Sequence, residues 1–570
     1  MFPLSAQQQI IWLQQQVSPD SRAYHASAVI DFHGEIDPTL LRQCVIDAVG
    51  RHDAMRLRIC DGDSAIACQE VAEDVDVDIP VHDLRSVEDS EGGRAALLHQ
   101  TMHAEFDLHA APLVRWMLVR LADSHWQLFM TEHHLVHDGR STVEFLTDVL
   151  EQYSAEVSGG SFVAEPAPSY EDYVSYTGSS DYRARVAADV AWWKAKLEGA
   201  EFSVDFSELG SRRSGLFDYR GAQHRQTLPS DLGDMVRAAS QQSGTTVFAL
   251  LLAVYAELCR RHSGQNDLVF GVPLANRPAE FDRTVGMMVS VVPLRLAIDP
   301  RTPGNDVAMD AMAAILDAIE HGSAPVQDIV KTLKRSGKGL DNPLYNTMFG
   351  MHDGPCPTVD IPGLSVDMQI ALSAGSSKFD LSVVVMPDEV RHGDGGTRGY
   401  ELVWEYSTQL FGSRDVERLA SEFEALLREY AAHPSEPIGT LALAAVAPSV
   451  GADRDEHEDL PAVDEVEPAG GTAEGVAGAI QSASAADRGG PSESLWLQAF
   501  RDVLDRDDID DDTDFFNAGG YSLLVPVLLS HYESLSGWRP PTSLVFEFPS
   551  PLELEAASAA RRQLTSDNQG

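Results

Sequence analysis

Glu132-His133-His134-Leu135-Val136-His137-Asp138-Gly139-Arg140-Ser141 is the stretch on which the reading of this chain turns. It follows Trp126-Gln127-Leu128-Phe129-Met130-Thr131, which reads as a strand paired through a turn at Asp123-Ser124 with Pro112 to Val119. Polar loops held by rigid strands are where reactive groups are commonly presented. Three readings of the histidines compete. A metal site on His133, His134 and His137 would need two ligands on one face and usually a carboxylate. HHLVH is not HExxH, and no second Cys/His cluster appears, so no metal is expected here. The plain alternative is a set of exposed loop histidines with an aspartate helix cap and a turn glycine. The third is a histidine acting as general base or positioning group in an acyl transfer, since an imidazole near neutral pKa accepts a proton from an attacking amine or hydroxyl.

Outward from this segment, strand and helix patterns mix. His25 to Phe32 reads as a strand and Pro38 to Val49 as an amphipathic helix. Ser382 to Met386 and Tyr400 to Tyr406 read as strands flanking GDGGTRG, a hairpin turn and not a phosphate loop, because no helix start follows it. Thr245 to Cys259 is the most apolar run. It is too short to span a bilayer and contains Glu257, so a buried core helix is expected. With 42 basic against 88 acidic residues, the net charge of −46 repels phosphate backbones and anionic headgroups. No nucleic-acid or membrane partner is therefore expected. Five cysteines without CxxC spacing, and an N-terminus without a signal-peptide pattern, point to reduced thiols in the cytoplasm.

Composition marks one boundary among the 570 residues. Residues 451–490 hold 16 Gly or Ala, ten acidic and two basic residues, and no Phe, Trp or Tyr. Such a stretch buries too little apolar surface to offset its ordering entropy and is expected to be a flexible linker. Beyond it, Glu493 to Leu504, Ser522 to Ser534 and Pro551 to about Arg562 read as helices of a small bundle.

HHLVHDG resembles the HHxxxDG signature of nonribosomal peptide synthetase condensation domains, a pattern shared with other acyltransferases of the chloramphenicol acetyltransferase-like superfamily. Further segments in the right order narrow the resemblance: Leu4 to Leu13 (LSAQQQIIWL), Arg51 to Arg56 (RHDAMR), Tyr170-Glu171-Asp172-Tyr173, Gly271 to Pro278 (GVPLANRP), Val285 to Val289 (VGMMV), Gln327-Asp328 and Asn342-Pro343-Leu344. Together they cover about residues 3–447. The resemblance implies an α/β fold of two chloramphenicol acetyltransferase-like lobes forming a V-shaped pseudo-dimer, residues 1–175 and 176–447, with the active site in a tunnel between them. It implies His134 as the active-site histidine and Gly139 as the residue leaving room for the acceptor. It gives Asp138 and Arg277 as a structural ion pair and His133 as structural. Ser290 and Met288 depart from the usual Asn and Phe and leave amine and alcohol acceptors both open. The segment after Ser141 lacks the tryptophan-rich continuation of an epimerisation domain, and HHxxxDG excludes a heterocyclisation domain, which carries DxxxxD.

Asp514-Phe515-Phe516-Asn517-Ala518-Gly519-Gly520-Tyr521-Ser522-Leu523-Leu524 places a serine at a helix start. A plain N-cap is one reading. A hydrolase elbow is not, because Leu524 replaces the last Gly of GxSxG and no Asp-then-His pair follows. The stretch resembles the DxFFxxGGxSLL signature of carrier domains, over about residues 493–565 after a linker at 448–492. That resemblance implies a four-helix bundle with 4′-phosphopantetheine on Ser522, attached by a phosphopantetheinyl transferase. Neither an adenylation domain nor a thioesterase is visible in the chain. The implied activity is a condensation–carrier didomain joining a donor thioester from an upstream carrier protein to an acceptor on Ser522, loaded in trans by a separate adenylation enzyme. An acyltransferase to a small diffusible acceptor, with the donor on Ser522, and a catalytically inactive docking scaffold are the alternatives.

Overall fold

The computed structural model describes residues 1–60, 67–209, 217–335, 342–352, 354–392, 399–442, 494–504, 506–515, 518, 525–541, 544–545 and 548–567. They fall into two compact units, a large one over the first 442 residues and a small one from residue 494. The linker expected at 448–492, nearly all of the glycine run before Tyr400, and Ser522 itself lie outside the described residues.

The large unit is built on two sheets. Its strands are β1 (Phe2–Pro3), β2 (His25–His33), β3 (Leu57–Cys60), β4 (Cys68–Val71), β5 (Val81–Asp83), β6 (Val114–Ala122), β7 (His125–His133), β8 (Gly221–Thr227), β9 (Asp267–Leu274), β10 (Ser290–Ala297), β11 (Thr347–Met351), β12 (Ser365–Gln369), β13 (Leu381–Pro387) and β14 (Tyr400–Ser407). The first sheet runs β12-β2-β7-β6-β5 and the second β10-β9-β11-β13-β14-β8, with β1-β4-β3 as a small third. Each large sheet packs helices against a core of its own. The strands expected at 25–32, 112–119, 126–131, 382–386 and 400–406, and the helix at 38–49, are present with ends shifted by a few residues.

The helix Val247–Ser263 buries every side chain from Ala249 to Cys259. Glu257 is tolerated there because its carboxylate is forked between Arg260 at 2.7 Å and Arg261 at 2.6 Å. No single helix is long and apolar enough to cross a membrane among the described residues.

The topology departs in one place from a simple split at residue 175. β12 belongs by sequence to the second half, yet it pairs antiparallel with β2 at the edge of the first sheet. Cys356, Ile361, Val366, Met368 and Ile370 accordingly join the first core. The second half thus closes an edge strand that the first half would otherwise expose.

The small unit packs helices Leu495–Leu504, Val525–Ser536 and Pro551–Asp567 around a core of its own. Trp496 stacks on Tyr532 with centroids 3.8 Å apart and donates its indole N–H to Ser558 Oγ at 3.1 Å. Phe515 sits edge-on to Phe500 at 5.1 Å.

Candidate active site

β7 ends at His133, and the chain turns through Leu135-Val136 into the helix Gly139–Val157. Asp138 caps that helix, accepting from the Ser141 backbone N–H at 2.9 Å. His133 and His137 each have contacts of their own. His133 is buried; its Nδ1 accepts the Leu135 N–H at 3.2 Å, which leaves Nε2 as the donor facing Gln15 Oε1 at 3.4 Å. His137 is clamped between Glu132 Oε1, 2.7 Å from its Nδ1, and the Thr142 hydroxyl at its Nε2. Both members of the Glu132–His137 pair are buried, and the sequence pattern alone does not announce the pairing.

His134 is different, because it lines a cavity. Its backbone N–H donates to the Tyr24 carbonyl at 2.9 Å, and its Nδ1 lies 3.3 Å from the His137 carbonyl. Only a protonated Nδ1 can serve that carbonyl, so Nε2 carries the lone pair. Burial, then the nearby Lys378 ammonium, hold the imidazole well below its ordinary value of 6.5. The cavity, about 300 Å³, takes its walls from both halves of the large unit, including Tyr24, Tyr345, Lys378, Ser382 and Glu405. Lys378 is itself pushed below its usual range by burial, against the pull of Glu405.

Asp138 and Arg277 meet across 139 residues of sequence: Nη2 lies 2.9 Å from Oδ1 and 3.1 Å from Oδ2. Both side chains are 3% exposed. The Met288 N–H donates to Asp138 Oδ2 at 3.0 Å. Burial alone would raise the Asp138 pKa, but Arg277, His137 and Ser141 outweigh it and hold the carboxyl below its usual value. Arg277 donates onward to the carbonyls of Phe281, at 3.1 Å, and Thr284. Asn276 adopts a left-handed φ of 46°, a region in which Asn is enriched, immediately before the arginine.

The remaining motifs converge on the same framework. Gly286 has φ 155°, and a Cβ there would fall 2.1 Å from the Tyr170 ring. Tyr170 OH reaches the Met287 carbonyl at 2.7 Å and Ser5 Oγ at 3.1 Å, tying the YEDY, VGMMV and LSAQQQ segments together. Ser141 Oγ accepts the Gly286 N–H at 2.9 Å. Arg51 and His52 both hold Asp148 on the helix Gly139–Val157, at 2.8 and 3.2 Å. Ser290 accepts from the Gln7 amide at 2.9 Å. A Cβ on Gly139 would meet His352 Nε2 at 2.6 Å, so glycine lets that imidazole pack against the start of the helix.

The geometry has relatives. Residues 1–447 match the family model described as Condensation domain, and residues 497–557 match that described as Phosphopantetheine attachment site. The chain is 28% identical over 443 residues to phosphinothricin tripeptide synthetase PhsC of Streptomyces viridochromogenes, covering 77% of this chain and 40% of that protein. It is 26% identical over 441 residues to malpinin synthetase of Mortierella alpina, covering 77% of this chain and 6% of that one. The chain therefore spans less than half the length of either relative. Among solved structures, the first condensation domain of the CDA synthetase is similar at 22% identity with a TM-score of 0.69, covering 78% of this chain and 99% of that one. The starter condensation domain of rhizomide synthetase RzmA, in a mutant form with C8-CoA, is similar at 21% identity with a TM-score of 0.68, covering 78% and 98%. With the fold matched along almost the whole of those domains and the family model matched over residues 1–447, the chain belongs to the condensation-domain family of nonribosomal peptide synthetases and carries a phosphopantetheine-attachment domain C-terminal to it.

Proposed function

We propose that the chain joins a carrier-bound acyl or peptidyl thioester donor to an amine or hydroxyl acceptor held at Ser522, with His134 as the group that receives the acceptor's proton. The observation that carries this is the placement of His134: it lines a cavity walled by both halves of the domain, with Nδ1 3.3 Å from a carbonyl, and burial and Lys378 favour its neutral form. A phosphopantetheine arm suits the small unit. Its tightly packed aromatic core supports Phe515, and Ser522 lies three residues before the first described helical residue, Val525. Phosphodiesters are favoured at helix starts. The arm, when attached, supplies the thiol that carries the acceptor.

As the acceptor's nitrogen or oxygen bonds to the donor carbonyl carbon, His134 Nε2 accepts its proton or holds it in place. The donor C–S bond breaks, and the proton is delivered to the departing sulfur. Asp138 and Arg277 hold the turn that presents His134, and Gly139 lets His352 pack against the start of the helix. Both substrates arrive on thioesters, so an upstream donor carrier, a phosphopantetheinyl transferase and an adenylation enzyme acting in trans complete the system, in the cytoplasm.

Single-turnover transfer tests the reading. Full-length chain loaded with an aminoacyl arm is mixed with a donor-loaded carrier and followed by intact mass spectrometry. The mass at Ser522 should rise by the donor acyl group while the donor carrier loses it. Acyl groups leaving Ser522 for a free small molecule would overturn this reading in favour of a diffusible acceptor.

A further inference from the structure

On the first sheet, at the end of β7 opposite HHLVHDG, histidines and carboxylates gather across three strands. In the antiparallel register His33 on β2 faces His125 on β7, and Asp31, two residues back on β2, faces Asp367 on β12. Directly opposed residues, and residues two apart on a strand, project from the same side of the sheet. The two imidazoles stack with centroids 4.7 Å apart. His125 Nε2 lies 2.8 Å from Asp31 Oδ1, and His33 Nε2 lies 3.6 Å from Asp367 Oδ2. One donor atom from each of Asp31, His33 and His125 lies within 4.8 Å of the others. Asp367 is held in turn by His392 Nδ1 at 3.1 Å.

We propose that Asp31, His33 and His125 form a three-ligand binding site for a borderline divalent cation of the zinc class, with water completing the coordination. Imidazole nitrogen and carboxylate oxygen are the donors such an ion takes, at about 2.0–2.2 Å. Around a tetrahedral ion those bond lengths bring the donor atoms to about 3.4 Å from one another. The present separations close to that value by side-chain torsion, since His33 is 47% and His125 32% exposed. Paired hydrogen bonding between His125 and Asp31 accounts for that one contact, but it leaves His33 Nε2 still 3.6 Å from its carboxylate. A shared ion satisfies all three side chains.

The test is isothermal titration of the full, chelator-stripped chain with zinc chloride near neutral pH, with cobalt(II) absorption as a second probe. The expected result is saturable binding of one ion per chain, a cobalt spectrum free of thiolate charge transfer, and affinity at least about tenfold weaker in H33A and in H125A. C60S and C68S should leave binding unchanged, although those cysteines face each other across β3 and β4. H33Q and H125Q replace any alanine variant whose circular dichroism departs from wild type. Absence of saturable binding, binding that survives in H33A/H125A, or binding lost in C60S or C68S overturns the site.

Discussion

At His134 the decisive detail is which nitrogen is spoken for. Because His134 Nδ1–H donates to the His137 carbonyl, Nε2 is its free acceptor, and substitution removes that acceptor from the cavity wall. His134→Ala should lower the single-turnover condensation rate by about 10²- to 10⁴-fold, the usual contribution of one general base or positioning group, with an unchanged circular dichroism spectrum. A near wild-type rate would remove His134 from the chemistry. Asp138 and Arg277 pose a different question, because each is the other's compensation in a buried site. Removing either partner strands a charge and should cost about 3–5 kcal/mol of domain stability. The double variant should cost clearly less than the sum, and chemical denaturation of all four proteins in a mutant cycle reads that coupling directly. Additive losses would mean the pair contributes no shared interaction.

Among the elements, the β2–β7 pair carries an acid sensitivity that follows from its histidines. His25 and His133 oppose each other in the register and are both buried. Burial holds His25 down to about 4 and His133 down to about 3. In the unfolded chain both titrate near 6.5. Between those values the unfolded state binds more protons, so the neutral histidines cost nothing above about pH 6.5, and stability falls as the pH drops below it. The loss is up to about 1.4 kcal/mol per pH unit for each group. The urea midpoint of the large unit should therefore decline between pH 7 and pH 5, above the range where most carboxylates protonate, and His25→Gln should lessen the decline. An unchanged midpoint would show that these imidazoles are hydrated in the fold. This pair also marks what a linear reading reaches. Apolar runs along 25–32 and 126–131 reveal the strands, because both faces of each are largely buried. The five residues SVDMQ of β12 do alternate, with Val366 and Met368 buried, but nothing in them names β2 as the partner, which lies more than 300 residues away. The Asp138–Arg277 contact is reached only through resemblance to a family. The Glu132–His137 clamp is not legible, because a buried ion pair shows in sequence as two ordinary polar residues. Ser141, two residues past the motif, pins the turn to Gly286, a contact equally silent in the sequence.

For the whole molecule, the question is whether the small unit serves as a carrier for the large one, and Ser522 decides it. Phe515 is fully buried against Phe500, and its backbone N–H donates to the Pro549 carbonyl at 2.8 Å, which fixes the start of the segment containing Ser522. On the far side, Val525, Leu528 and Leu529 of the next helix are buried in the same core. The free N–H groups of a helix start favour the incoming phosphate. Incubation of the full chain with coenzyme A and a broad-specificity phosphopantetheinyl transferase should add one arm to the wild type and none to Ser522→Ala, read by intact mass spectrometry. The substitution removes a single hydroxyl and leaves the buried residues on both sides in place, so a folded but unmodified Ser522→Ala protein is the expected control. A wild type that gains no arm, or a Ser522→Ala protein that still gains one, would detach the small unit from the chemistry assigned to it and leave the large unit without its own acceptor.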